Sequence, residues 1–205
     1  MNSPTEPYLR LKDSLKYIRK ILVRVPESGC LSDLDHLKVQ SFVLLSHAAF
    51  EQYIEELVSE ISKKALSELK NNDEVCRALL CLVASEAMLQ VDKEVARRKI
   101  RSTAASDLVG FASEAYTNLT RDIKSNHGVT TADQRKLLLQ VGIDPEEVDL
   151  NVSAALNAFG TKRGNIAHKF KIQTSETRSS VLAETDQIFE GLLNFDKAGC
   201  VQLKR

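Results

Sequence analysis

Residues 32 to 73 read SDLDHLKVQSFVLLSHAAFEQYIEELVSEISKKALSELKNND, and this stretch decides the fold. Phe50, Ile54, Leu57, Ile61 and Ala65 recur at steps of three and four, the repeat that gathers side chains on one face of a helix. Ser32 can cap that helix by accepting a backbone N–H from its first turn. Neither Gly nor Pro occurs between residues 31 and 89, so the helix has no built-in breaker. The spacing predicts about ten helical turns, a break at Asn71-Asn72-Asp73, and a further helix from residue 73 to about residue 89.

Outward from there the same repeat returns. Leu11, Leu15, Ile18, Leu22 and Val25 predict a first helix over about residues 7 to 25, stopped by Pro26 and followed by the turn Glu27-Ser28-Gly29-Cys30. Leu108, Phe111, Ala115, Leu119 and Ile123 predict another, closed by Ser125-Asn126-His127-Gly128. Thr131 to Gln134 reads as a capping box opening a short helix that ends at Gly142, a left-handed cap. Asp144-Pro145-Glu146-Glu147 restarts a helix with Asp as cap and Pro in the first turn. Val181, Leu182, Thr185, Ile188, Phe189, Leu192 and Leu193 predict the last one. No stretch alternates apolar and polar residues as a half-buried strand must, so the class is all-α.

The bulk numbers fit a single domain over residues 1–205. The chain is 43% hydrophobic and 27% charged with eight Gly and four Pro, the balance of a helix-rich globular protein with few tight turns. Lys plus Arg and Asp plus Glu both total 28, which excludes a long-range field that gathers polyanions, so any nucleic-acid site must be local. Cys30, Cys76, Cys81 and Cys200 form no CxxC pair and the chain opens MNSPTEPY rather than with a basic, apolar leader; the expectation is a cytoplasmic protein. No apolar run approaches the roughly 18 residues that cross a bilayer, so no membrane partner is expected.

Residues 160 to 170, GTKRGNIAHKF, concentrate Arg, Lys, Asn and His around two glycines between the last two predicted helices. The guanidinium of Arg163 offers a planar fork of donors that matches a phosphate, and an imidazole such as that of His168 exchanges a proton near neutral pH. Together they can cleave RNA without metal: His168 as general base on a 2′-hydroxyl or general acid on the leaving oxygen, Arg163 as the charge that steadies the phosphorane. On an unbroken helix five residues turn about 500°, leaving the two roughly 140° apart, while Asn165 and His168 share a face. Either Gly164 begins a helix and frees Arg163 to reach across, or two copies of the segment complete one site.

Arg163 followed by Ile166-Ala167-His168 resembles the Arg-x4-His motif of the HEPN superfamily, and residues 44 to 57, LLSHAAFEQYIEEL, resemble its long early helix. Ser125-Asn126-His127-Gly128 and Val141-Gly142-Ile143-Asp144 are similar to segments ahead of the motif in the RiboL-PSP-HEPN type; the likeness spans about residues 41 to 193. The resemblance implies a helical bundle with long antiparallel helices, usually a homodimer. In many members it implies a metal-independent endoribonuclease of toxin, abortive-infection or antiviral systems, with RNA as substrate, no cofactor, and an antitoxin or defence-system protein as partner. Other members are non-catalytic binding or assembly modules. Arg163 and His168 map onto the motif pair. Where the family often has Asn directly after the Arg, this chain has Gly164, and Asn165 follows one later as its substitute. Lys162 and Lys169 flank the motif as substrate-binding candidates.

Other polar residues have plainer readings. His36 and His47 lie three turns apart on one helical face, but two ligands without a third make a poor metal site, so packing or surface is expected. His127 beside a glycine reads as a turn residue, with a substrate loop as the functional alternative. Arg97, Arg98, Lys99 and Arg101 read as a solvated helix face that can also guide RNA, helped by Lys171. Of Glu51, Glu55 and Glu56, the first two are candidates to brace Arg163.

Overall fold

A computed structural model describes residues 1–27, 32–88, 93–101, 107–168, 172 and 174–204, without the side chains of Met88, Lys93, Ala96, Lys99 and His168. Helix α1 (Glu6–Ile18) leads into α2 (Asp33–Asn72), α3 (Arg77–Met88), α4 (Lys93–Lys99), α5 (Leu108–Lys124), α6 (Thr131–Leu138), α7 (Pro145–His168) and α8 (Arg178–Gln202). The all-α class holds, as a helical bundle. No helix among the described residues is long and apolar enough to cross a membrane.

Helix α2 is the spine. Ser32 caps it, accepting from Asp35 N while the Asp35 carboxylate accepts from Ser32 N, and Asp73 closes it in the left-handed conformation. Its 40 residues extend about 60 Å. Phe42, Val43, Phe50, Ile54, Leu57, Val58 and Ile61 are all buried and occupy more than one face of the helix. A helix apolar over so wide an arc must be enclosed, and α1, α5, α7 and α8 pack around it.

Several boundaries differ from the sequence reading. The first α-helix ends at Ile18 and tightens into a 3-10 turn over Arg19–Leu22, with Arg24 left-handed after it. Leu22 and Val25 stay buried: Leu22 ends the 3-10 turn, and Val25, beyond the left-handed Arg24, is folded back with its N–H donating to the Leu22 carbonyl. The capping box of α6 sits one residue earlier than predicted, Thr130 pairing reciprocally with Asp133; either threonine satisfies the pattern, and only the chain's entry direction selects between them. Gly142 is left-handed as expected, with φ +81°.

The largest correction concerns residues 160–168. They are the last turns of α7, not a connection between helices, and neither glycine there has positive φ. The helix instead breaks early: Asp144 Oδ1 accepts from Glu146 N and Glu147 N, and one turn later the extended Asp149 accepts from Val152 N and starts the long arm. Leu156 and Phe159 bury completely, and Phe159 meets Phe50 of α2 edge to face at 5.5 Å. That packing outweighs the roughly 1 kcal/mol each glycine costs a helix.

Candidate functional site

Along α7 the buried residues Val152, Leu156 and Phe159 form the stripe that faces the core. Arg163 lies eleven residues after Val152 and seven after Leu156, within about 20° of both on a regular helix, so it continues the apolar stripe with a charge where the core ends. The half-buried Arg163 there acts electrostatically on His47 and Glu51 of α2. Among the described residues, no hydrogen bond or ion pair holds its guanidinium.

His47 is 2% exposed, with Nδ1 3.6 Å from Glu51 Oε2. A methyl group at Gly160 would stand 3.8 Å from its Nε2, which places it at the crossing of α2 and α7. Burial, and then the positive Arg163, push its pKa down to about 4, so it is neutral at pH 7. Glu51 is shifted the other way. Burial and then the neighbouring Glu55 raise its carboxyl above the usual range, against the opposing pull of Arg163 and His127.

The connection from α5 to α6 closes the other side. Asn126 is buried and its Nδ2 donates to Glu55 Oε1 at 2.9 Å and to the Gly128 carbonyl at 3.1 Å. Gly128 runs so close to Asp133 that a Cβ would lie 2.6 Å from Oδ2, so a larger residue there would push the capping carboxylate aside. Thr131 N donates to Asn157 Oδ1, and Gln134 Nε2 donates to the carbonyls of Val129 and Ser153, tying the same segment to α7. His127 remains exposed between these anchors.

The candidates read from the sequence thus separate. Arg163, Glu51 and His127 share one neighbourhood, and Asn165 is exposed on α7. Lys162 turns to α8: its ammonium lies 2.5 Å from Glu184 Oε2 and 3.0 Å from Glu176 Oε1. Burial disfavours that charge, but the two carboxylates outweigh it and hold the pKa above the ordinary value. The side chain of His168, and Lys169 and Lys171 entirely, lie outside the described residues; the unbroken helix sets residue 168 roughly 140° around from residue 163. Glu56 is taken by Arg10, 2.9 Å away, in a groove it shares with Glu55 and Glu60, whose acids repel a polyanion. His36 and His47 are buried packing residues, and Arg97, Arg98 and Arg101 lie exposed on or just beyond α4. His47 and Asn126 escaped the sequence reading as parts of this neighbourhood. The His47-to-Glu51 step of four was the available signal for one, but nothing local pairs Asn126 with a residue 71 positions away.

A family model described as RiboL-PSP-HEPN matches residues 9–195. No curated protein matches the chain, and no solved structure does.

Proposed function

The chain belongs to the RiboL-PSP-HEPN family, and on that premise we propose that it is a metal-independent endoribonuclease cutting single-stranded RNA as a toxin or antiviral defence effector in the cytoplasm. The observation that carries the reading is Arg163, a guanidinium at the rim of the core with no hydrogen bond or ion pair among the described residues. A half-desolvated cation whose donors are not spent on the described residues is suited to an oxyanion, and the fork of an arginine suits a phosphate best. In the proposed reaction the 2′-oxygen attacks phosphorus, the 5′-oxygen leaves, Arg163 stabilises the charge that accumulates between, and His168 moves a proton. Asn165 and Lys169 are assigned to holding the RNA. Lys162 is left out of that set, because two carboxylates already neutralise it.

The roughly 140° between residues 163 and 168 favours a homodimer in which each copy supplies one face of the site. It also supports a second reading, a non-catalytic HEPN module that binds an antitoxin or defence-system partner, since Gly164 replaces the polar residue that often follows the motif arginine. Incubation with a mixed RNA pool in chelator separates the two. The ribonuclease fragments RNA and its His168→Ala and Arg163→Ala variants do not; a binding module leaves the pool intact in every case.

A further inference from the structure

Transesterification of RNA moves two protons. One leaves the 2′-hydroxyl as the 2′-oxygen–phosphorus bond forms, and one reaches the 5′-oxygen as its bond to phosphorus breaks. Arg163 stays protonated throughout and serves neither step. His168 accounts for one carrier if the ribonuclease reading holds, and this inference rests on that reading.

We infer that His127 is the second proton carrier of the site, the base that takes the 2′-hydroxyl proton, and that Glu51 is its positioning residue. His127 is an exposed imidazole on a connection that is fixed on both sides. Asn126 before it is anchored to Glu55 and to the Gly128 carbonyl. Gly128 after it lies against Asp133, and Thr131 is bonded to α7 through Asn157. Glu55, the residue that receives Asn126, is one helical turn from Glu51, and Glu51 is the carboxylate that acts on both Arg163 and His127. The groups facing it are His47 and Glu55 on α2, Arg163 on α7, His127 on the connection and Asp133 on α6. Of the two imidazoles among these, His47 is buried and His127 reaches solvent, so only His127 can meet a substrate hydroxyl.

The division of labour follows from the charges. Arg163 holds the phosphate from one side of Glu51, and His127 takes the proton as the 2′-oxygen attacks. Glu51 holds the imidazole in place, and His168 donates to the departing 5′-oxygen. Both proton transfers are then complete, leaving a 2′,3′-cyclic phosphate and a 5′-hydroxyl, with His127 protonated and His168 neutral.

The test is the pH dependence of kcat/KM on a short RNA, for wild type, His127→Gln, Glu51→Gln and Arg163→Ala, each checked for an unchanged melting curve. His127→Gln loses on the order of a hundred- to ten-thousand-fold and loses the acidic limb of the profile. Glu51→Gln loses less, in kcat rather than in KM, because the imidazole is no longer positioned, and Glu51→Asp recovers part of the loss. A merely structural role at Glu51 would lower the melting temperature along with the rate, and a merely structural His127 would leave the acidic limb of the profile in place in His127→Gln. Wild-type cleavage with both variants retaining the wild-type rate and profile overturns the inference while leaving the ribonuclease reading intact. Absence of cleavage by wild type and all variants overturns both.

Discussion

Arg163 continues the apolar stripe of α7, and the groups around it have adjusted to the charge. His47 is the clearest case. In the unfolded chain it takes up a proton near pH 6.5, whereas in the fold burial and Arg163 hold it neutral down to about pH 4. The unfolded state therefore binds more protons in that window, and stability is full above about pH 6.5 and falls as the pH drops towards 4, by at most about 3 kcal/mol from this group. Urea titrations at pH 7 and pH 5 should show the loss, and His47→Gln should reduce it; an equal loss in both proteins contradicts the assignment. Glu51 has the opposite sign: its raised carboxyl pKa means that ionisation at pH 7 works against the fold. Glu51→Gln should therefore melt no lower than wild type at pH 7 while cleaving RNA more slowly, the trade expected where function holds a charge in an unfavourable place. Arg163 itself became a candidate in the sequence through the resemblance of Arg163 and His168 to the HEPN motif, not through their spacing alone. Of its neighbours on α2, Glu51 was already a candidate to brace it, while His47 was legible only as part of a helical face, since periodicity says which residues point together and not what they meet more than a hundred residues away.

At the scale of elements, α8 illustrates packing overruling propensity. A Cβ at Gly191 would stand 1.9 Å from Val152 Cγ2 of α7, and one at Gly199 would stand 2.6 Å from Ile61 Cδ1 of α2. Alanine is the better helix former by about 1 kcal/mol, yet Gly191→Ala should destabilise by about 1 to 3 kcal/mol because α7 and α8 must part. Denaturant midpoints decide the sign. The start of the chain is held by the same helix: the fully buried Asp196 accepts from both N and Oγ1 of Thr5, the cap of α1. Asp196→Ala should cost about 3 kcal/mol and raise hydrogen exchange in α1 before the rest of the molecule. Caps such as Ser32 and Asp144 were readable because they depend on residues a few positions apart. The continuity of α7 through Gly160 and Gly164 was not, because it depends on Phe159 meeting Phe50, a contact no local window contains.

The whole molecule carries no net formal charge, and several of its described cations are committed to carboxylates: Arg10 to Glu56 and Glu60, Arg19 to Asp186, Arg135 to Glu146, Lys162 to Glu176 and Glu184. On the proposed ribonuclease reading, a site centred on Arg163 grips RNA at few phosphates. Binding of a single-stranded oligonucleotide by a cleavage-deficient variant should weaken with salt at a log–log slope no steeper than about −2, the value for two or three contacts; a slope several times steeper would require a broad basic surface beyond the Arg163 end of α7.

Central to the account is RNA cleavage without metal at the Arg163 end of α7. The most direct measurement is the chemistry of the fragment ends after digestion in excess chelator, for wild type beside Arg163→Ala and His168→Ala. The account predicts 2′,3′-cyclic phosphates and 5′-hydroxyls from wild type alone. Fragments that need added metal, or that appear equally with either variant, would contradict it.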